Sequence, residues 1–212
     1  MDRHAATLGR YAMFIQVIEG RAKDPEAVHR RLEAWQQDLM PGAIGYLGST
    51  GGCTSGGDCI IVARFESREA ARRNSDRPEQ TAWWRETEKC FDGPVTFHDS
   101  DDIEIMTHGR LDDAHFVQVM EGSVADVERA RQLEHDSDPI LAARRPELLG
   151  AVTAFFDDHH FTEIAYFTDE TAARRGEQQA MPADMATMFE EWQHVMKVDR
   201  YLDLEHPWLV SA

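Results

Sequence analysis

The chain has 212 residues, with 39 acidic against 22 basic side chains and a net charge of −17. That surplus of acid repels phosphate, which excludes nucleic acid and anionic membrane surfaces as partners. A hydrophobic fraction of 42% supports a real core. Apolar runs such as Ile60-Ile61-Val62-Ala63 stay far below the ~20 residues that span a bilayer, and no apolar segment follows Met1-Asp2-Arg3-His4. A cytoplasmic globular protein is expected.

The first strand runs from Tyr11 to Ile18, rich in β-branched and aromatic residues and ended by Gly20. Asp24-Pro25-Glu26 opens a helix with a cap, a proline at its first position and an acid in its first turn. Val28, Leu32, Trp35 and Leu39 share one face of that helix, and Pro41-Gly42 stops it. Ile44 to Gly48 and Cys59 to Phe65 form a hairpin across a Gly-rich turn. Cys53 and Cys59 could face each other across it, but three cysteines in a cytoplasmic chain favour free thiols. Neither a redox motif nor a zinc site is present in the cysteine spacing. Ser67 caps a second helix, Pro78 interrupts it, and Glu79 to Phe91 resumes. Val95-Thr96-Phe97 starts a last strand.

The second half repeats this order. Phe14-Ile15-Gln16-Val17-Ile18-Glu19-Gly20 returns 102 positions later as Phe116-Val117-Gln118-Val119-Met120-Glu121-Gly122, with five of seven residues identical. Phe65 with Ala70-Ala71-Arg72-Arg73 returns as Phe167 with Ala172-Ala173-Arg174-Arg175 at the same offset. Pro146 and Gly150 match Pro41 and Gly45 at an offset of 105, which implies three residues gained near the first helix and three lost in the hairpin. Asp126 and Asp169 cap the helices of this half, and Tyr201 and Asp203 stand where Phe97 and Asp99 stood. The chain is therefore a duplicated β-α-β-β-α-β unit, with modules at 1–108 and 109–212 and a linker or extra edge strand at 103–113.

Such a unit makes an antiparallel sheet with both helices on one face, the ferredoxin-like arrangement, an α+β fold. Two copies in tandem bury each other's open sheet faces, a pseudo-dimer in one chain; the sequence leaves a further homodimer open. In its element order and in the F-x-Q-V-x-E-G, P-x-x-x-G and F-x-(S/D)-x-x-x-A pieces, the chain resembles the dimeric α/β-barrel superfamily, and within it the antibiotic-biosynthesis-monooxygenase-like proteins. The resemblance implies two packed ferredoxin-like modules and a small-molecule ligand. The superfamily includes cofactor-independent oxygenases of polyketide quinols, haem-degrading enzymes, isomerases and binding proteins, so it fixes no single reaction.

Candidate functional residues fall in two groups. Gln16 and Gln118 sit in mid-strand among apolar residues and must find hydrogen bonds, either across the pseudo-twofold axis or in a pocket wall. Glu19 and Glu121 end the same strands, where a solvated or capping role is expected. The second group is Asn74, Arg77, Trp83, Trp84 and Arg85, a mixture of aromatic walls with amide and guanidinium donors that suits a planar oxygenated ligand. Its counterpart in the second half lacks the tryptophans, which points to a site in the first module. In quinol-oxidising members of the superfamily Asn, Trp and Arg side chains serve near the substrate; Asn74, Trp84 and Arg77 or Arg85 match by residue type. His98 is a candidate base at a strand end, and no histidine spacing suggests a metal. The leading reading is a cofactor-free oxygenase of a small aromatic or polyketide-like compound, with the phenolate beside Arg77 or Arg85 and stacked on Trp84. The alternatives are a non-catalytic ligand-binding or stress-associated protein and a haem protein. Haem-degrading members carry an asparagine in the first strand, which neither first strand here has.

Overall fold

The computed structural model describes residues 13–157, 159–179 and 183–212. Tyr11, the expected start of the first strand, lies outside them, as do Asp158, Met181 and Pro182. The first half runs β1 (Phe14–Arg21), α1 (Pro25–Asp38), β2 (Tyr46–Cys53), β3 (Asp58–Phe65), α2 (Arg68–Ser75), α3 (Pro78–Thr87), β4 (Thr96–Ser100) and β5 (Asp102–Thr107). The second runs β6 (Phe116–Val124), α4 (Val127–Arg144), β7 (Leu148–Phe156), β8 (His160–Phe167), α5 (Glu170–Glu177), α6 (Ala183–Val195), β9 (Met196–Leu204) and β10 (Trp208–Ser211). The caps are the expected ones: Asp24, Ser67, Asp126 and Asp169 each accept a backbone N–H from the first turn of their helices. Among the described residues no helix is long and apolar enough to cross a membrane.

The strands form two five-stranded antiparallel sheets, ordered β10-β2-β3-β1-β4 and β5-β7-β8-β6-β9. Alternation along each strand decides what faces what. Ile15, Val17, Ile60 and Val62 of the first sheet meet Val117, Val119, Val152, Ile164, Leu202 and Leu204 of the second in one core between the sheets. Each such side chain, fully buried, contributes roughly 1.5–3 kcal/mol. The opposite faces carry the helices, with Trp35 packed on Phe14, Tyr46 and Phe65 in the first module. One polar network crosses the dry core: the Thr50 and Tyr166 hydroxyls lie 2.7 Å apart, and Arg64 donates to Thr50 at 3.1 Å.

The modules exchange their last strands. β5 leaves the first half to pair with β7, and β10 leaves the second to pair with β2. The sheets therefore cross the expected boundary at residue 108, and the segment read as a linker or extra edge strand holds such a strand. Gly48 and Gly150, at φ +141° and +155°, permit the exchange. A Cβ on Gly48 would press on the Val210 carbonyl oxygen of β10, and one on Gly150 on the Met106 carbonyl oxygen of β5.

These two glycines also correct the alignment of the halves. Both follow a register shift, at Tyr46/Gly48 and at Leu148/Gly150, so the offset stays at 102 through the hairpin. The expected drift to 105 does not occur; an offset of 104 appears at β9, where Gln118 faces Asp203 as Gln16 faces Asp99, and continues into β10. Cys53 and Cys59 are a second correction. They stand opposite each other with Cα atoms 4.0 Å apart and are joined by a disulfide, where free thiols were expected.

Substituting Gly150 by alanine should lower stability by roughly 1–3 kcal/mol, since it combines a positive φ with a backbone clash. Gly56→Ala, at a turn with room for a methyl, should cost far less. Urea denaturation of the two variants measures the difference, and equal midpoints would refute the role given to the exchanged strand.

Candidate functional site

The helix-covered face of the second sheet holds a cavity of about 420 Å³ between β5, β7, β8 and the helices α4 and α6. Its apolar wall is Met106, Leu133, Leu141, Met188, Phe189 and Trp192. Phe189 and Trp192 stack on one another with ring centroids 6.2 Å apart. Glu134 from α4 and Glu163 from β8 project into this space, with Thr153 and Ser137 beside them. Outside the cavity the two helices are clamped by Arg129, which donates to both carboxylate oxygens of Glu191 at 2.7 and 2.6 Å. Arg131 lies at the cavity edge over the ring of Phe155, held by Asp102 and Glu104 of the exchanged strand.

Two carboxyl groups in a mostly apolar enclosure cannot both ionise cheaply. Burial pushes Glu163 up to about 7. Glu134 is raised well above the usual carboxylate range, first by burial and then by the charge of Glu163; the Thr153 hydroxyl and Arg131 act weakly against this. Glu134 Oε1 is buried without a hydrogen-bond partner. Near neutral pH the pair thus holds at least one proton and can take up or give one, the property a proton-transfer site needs.

Among its described residues the first module fills the matching positions, and the offset of 102 shows how. Leu32 stands where Glu134 does, Ile61 where Glu163 does, and Trp35 where Ser137 does. Trp208 of the exchanged strand faces Gly51 as Glu104 faces Thr153. Trp208 stacks on His29 at 4.6 Å, and both it and Leu32 pack against the buried cluster of Val28, Cys59 and Phe91. Trp35 donates from its indole to Gln80 at 2.7 Å, and Trp83 donates to the Arg31 carbonyl at 3.0 Å while packing on Trp35. Large aromatic side chains therefore fill the seam between helices and sheet.

None of the residues singled out in the sequence lines the cavity of the second module. Asn74 is buried, and its Oδ1 accepts from the Ile44 N–H at 3.2 Å and from Arg77 at 3.0 Å. Arg77 also reaches the Leu39 carbonyl and Glu79, so the pair ties the α2–α3 corner to the end of α1. Trp83 is a packing residue of the filled seam. Trp84 meets the exposed Phe97 edge-on at 5.2 Å, and Arg85 is exposed. Gln16 and Gln118 donate to Asp99 and Asp203 at 3.0 Å, each within its own sheet and not across the pseudo-twofold axis. His98 is half exposed, 4.0 Å from Glu19 and against the ring of Phe156.

The sequence reading passed over Glu134 and Glu163. The available signal was the comparison of the halves, where core-facing Leu32 and Ile61 are answered by acids.

Comparison with solved structures places this fold. Two proteins each named a “putative monooxygenase” superpose over nearly the whole length. That of Lactobacillus acidophilus NCFM has a TM-score of 0.65 at 13% identity, covering 93% of this chain and 99% of that one. That of Fusobacterium nucleatum has a TM-score of 0.67 at 11% identity, covering 94% of each. An anthrone oxidase-like protein has a TM-score of 0.65 at 8% identity, covering 95% of this chain and 92% of that one. At these identities the likeness is one of fold: the chain has a tandem, monooxygenase-like ferredoxin fold. No family model and no curated protein matches it.

The raised carboxyls have a consequence for stability. Between the ordinary carboxylate range and about 7, unfolded Glu163 is ionised and folded Glu163 is not. Its contribution is therefore full at low pH and is lost as pH rises through that window. Glu163→Gln should stabilise the protein by roughly 1–3 kcal/mol at about pH 8 and by nearly nothing at about pH 4. Thermal melts of both proteins across that range test this; a pH-independent difference would contradict it.

Proposed function

We propose that the chain is a cofactor-independent monooxygenase-like enzyme that oxidises a small aromatic or polyketide-like compound in the cavity of the second module. The observation that carries this reading is the pair Glu134 and Glu163, set in an otherwise apolar, aromatic-walled enclosure of about 420 Å³. Such a volume suits a ligand of two or three fused rings.

In this reading Glu163, with its proton affinity raised to about 7, takes a proton from an activated C–H or O–H of the substrate. Protonated Glu134 donates a hydrogen bond to the oxygen on which the negative charge settles. The anion gives one electron to dioxygen, and the radical and superoxide combine to a peroxide. Loss of water leaves a carbonyl, so a methylene and one dioxygen become a ketone and one water. The apolar wall excludes bulk water, which strengthens both carboxyl contacts. The first module, with Leu32 and Ile61 at the matching positions, takes no part.

Oxygen uptake with anthrone-type quinols tests the proposal. Glu163→Gln should lower the rate by roughly 10²–10⁴, the usual weight of a general base. Asn74→Ala should change it only through stability. No uptake across a panel of such quinols would leave ligand binding without catalysis.

Fluorescence reports on the location independently. A ligand entering the cavity should quench Trp192, so Trp192→Phe should remove the response and Trp84→Phe should leave it nearly whole. The reverse pattern would return the site to the first module.

A further inference from the structure

The charges around the cavity do not balance. Glu104 comes from β5, Glu128, Glu134 and Asp138 from α4, and Glu163 from β8. Among the described residues the lining holds one arginine, and its two terminal nitrogens are taken: Arg131 bonds Asp102 and Glu104, while its Nε lies 3.5 Å from Glu128 and makes no hydrogen bond. His135 faces Asp136 at its outer edge, and Asp138 is held by His108 at 2.7 Å. The α6 lining adds no cation, only Met185, Met188, Phe189 and Trp192. Among the described residues neither Glu134 nor Glu163 is in contact with a cation, and Glu134 Oε1 is buried without a donor. A buried acceptor left unpaired forfeits its hydration without compensation, so a ligand that supplies a donor there recovers that cost.

We propose that the compound taken by this cavity carries a basic amine, with its ammonium donating to Glu134 and its ring system against Trp192 and Phe189. This rests on the cavity of the second module being the functional site, and it adds the charge of the substrate. A charge-assisted N–H···O contact supplies the missing donor. The indole and phenyl faces favour a cation over a neutral group of the same shape. A ligand that arrives already ionised as a carboxylate would meet two carboxyls and, for a donor, only the single Nε–H of Arg131, itself beside Glu128, so such anions are disfavoured. Seating the ammonium at Glu134 releases the proton of that carboxyl to solvent; with such a substrate the ammonium takes over from Glu134 the donation to the developing negative charge, and Glu163 remains the proton acceptor.

The test uses three probes of one shape on the full-length protein: 2-naphthylmethylamine, 2-naphthylmethanol and 2-naphthoate. Titration calorimetry at about pH 7.5 should show the amine binding at least about ten-fold tighter than the alcohol, and the acid not binding. Repeating the amine titration in buffers of different ionisation enthalpy should show release of about one proton. Glu134→Gln should reduce the preference for the amine over the alcohol to about two-fold. The ranking of the three probes on the unmodified protein decides the matter even if that variant folds poorly. An alcohol that binds as well as the amine overturns the proposal, as does a folded Glu134→Gln protein that keeps the full preference. Oxygen uptake with a neutral quinol and no amine preference would sink this inference alone. Amine preference without oxygen uptake would sink the oxidation and leave the inference standing.

Discussion

The reciprocal exchange of β5 and β10 is the constraint on which the rest depends. Each strand closes the sheet of the other module, so the two sheets are held face to face by backbone hydrogen bonds as well as by the apolar core between them. With those inner faces committed, the helices must lie outside, and any ligand space must open between helix and sheet. The exchange also means that the second module does not build its cavity alone. Asp102 and Glu104, which hold Arg131 at the cavity edge, arrive on a strand contributed by the first half.

Duplication separates what the fold requires from what the chemistry requires. The features kept in both halves are structural: the Gln–Asp pairs at 3.0 Å, the positive-φ glycines beside the exchanged strands, and the Asp caps of α1 and α4. The features that differ lie in one seam, where Leu32, Trp35, Ile61 and Trp208 are answered by Glu134, Ser137, Glu163 and Glu104. Removing a buried tryptophan's worth of packing costs on the order of 3–5 kcal/mol, and burying carboxyls adds to that cost. One module can bear this because its twin keeps a filled seam and shares its sheets. A homodimer of identical halves would carry the cost twice.

The architecture was legible because it is written in repetition and periodicity. Phe14 to Gly20 and its second copy identified the module, and the Asp-Pro-Glu and Ser67 caps placed the helices. The register of the hairpin was less accessible: Pro41 to Gly45 resembles Pro146 to Gly150 as text, but the bulge is set by which glycine must clear a neighbouring carbonyl, and that neighbour lies some 160 residues away at Val210. The site was misplaced for a related reason. Clustered tryptophans near Asn74 read as an aromatic pocket, yet aromatic side chains fill space as readily as they line it, and only the packing distinguishes the two. Glu134 on an acidic helix looks like ordinary solvated surface. Its meaning appears only when Leu32 is seen at the same place in the other half.

Raised carboxyl groups alone would not have located the site either. Glu121 is also pushed up to about 7, by burial and by the neighbouring Glu19, where the two repeat-motif glutamates meet between the modules. That pair is neither solvated nor capping, as the sequence had suggested, but half-buried and bridged by Arg200, which donates to Glu19 at 2.8 Å and to Glu121 at 3.0 Å. Glu19 and Glu121 thus have a cation in contact and serve to join the halves. Glu134 and Glu163 have neither a free cation nor a full set of hydrogen bonds, and they face an open volume. The same desolvation acts on both pairs, and the difference lies in what is left unpaired. A proton held beside Arg200 is part of the structure, whereas one held on a carboxyl that lines the cavity is available to a ligand.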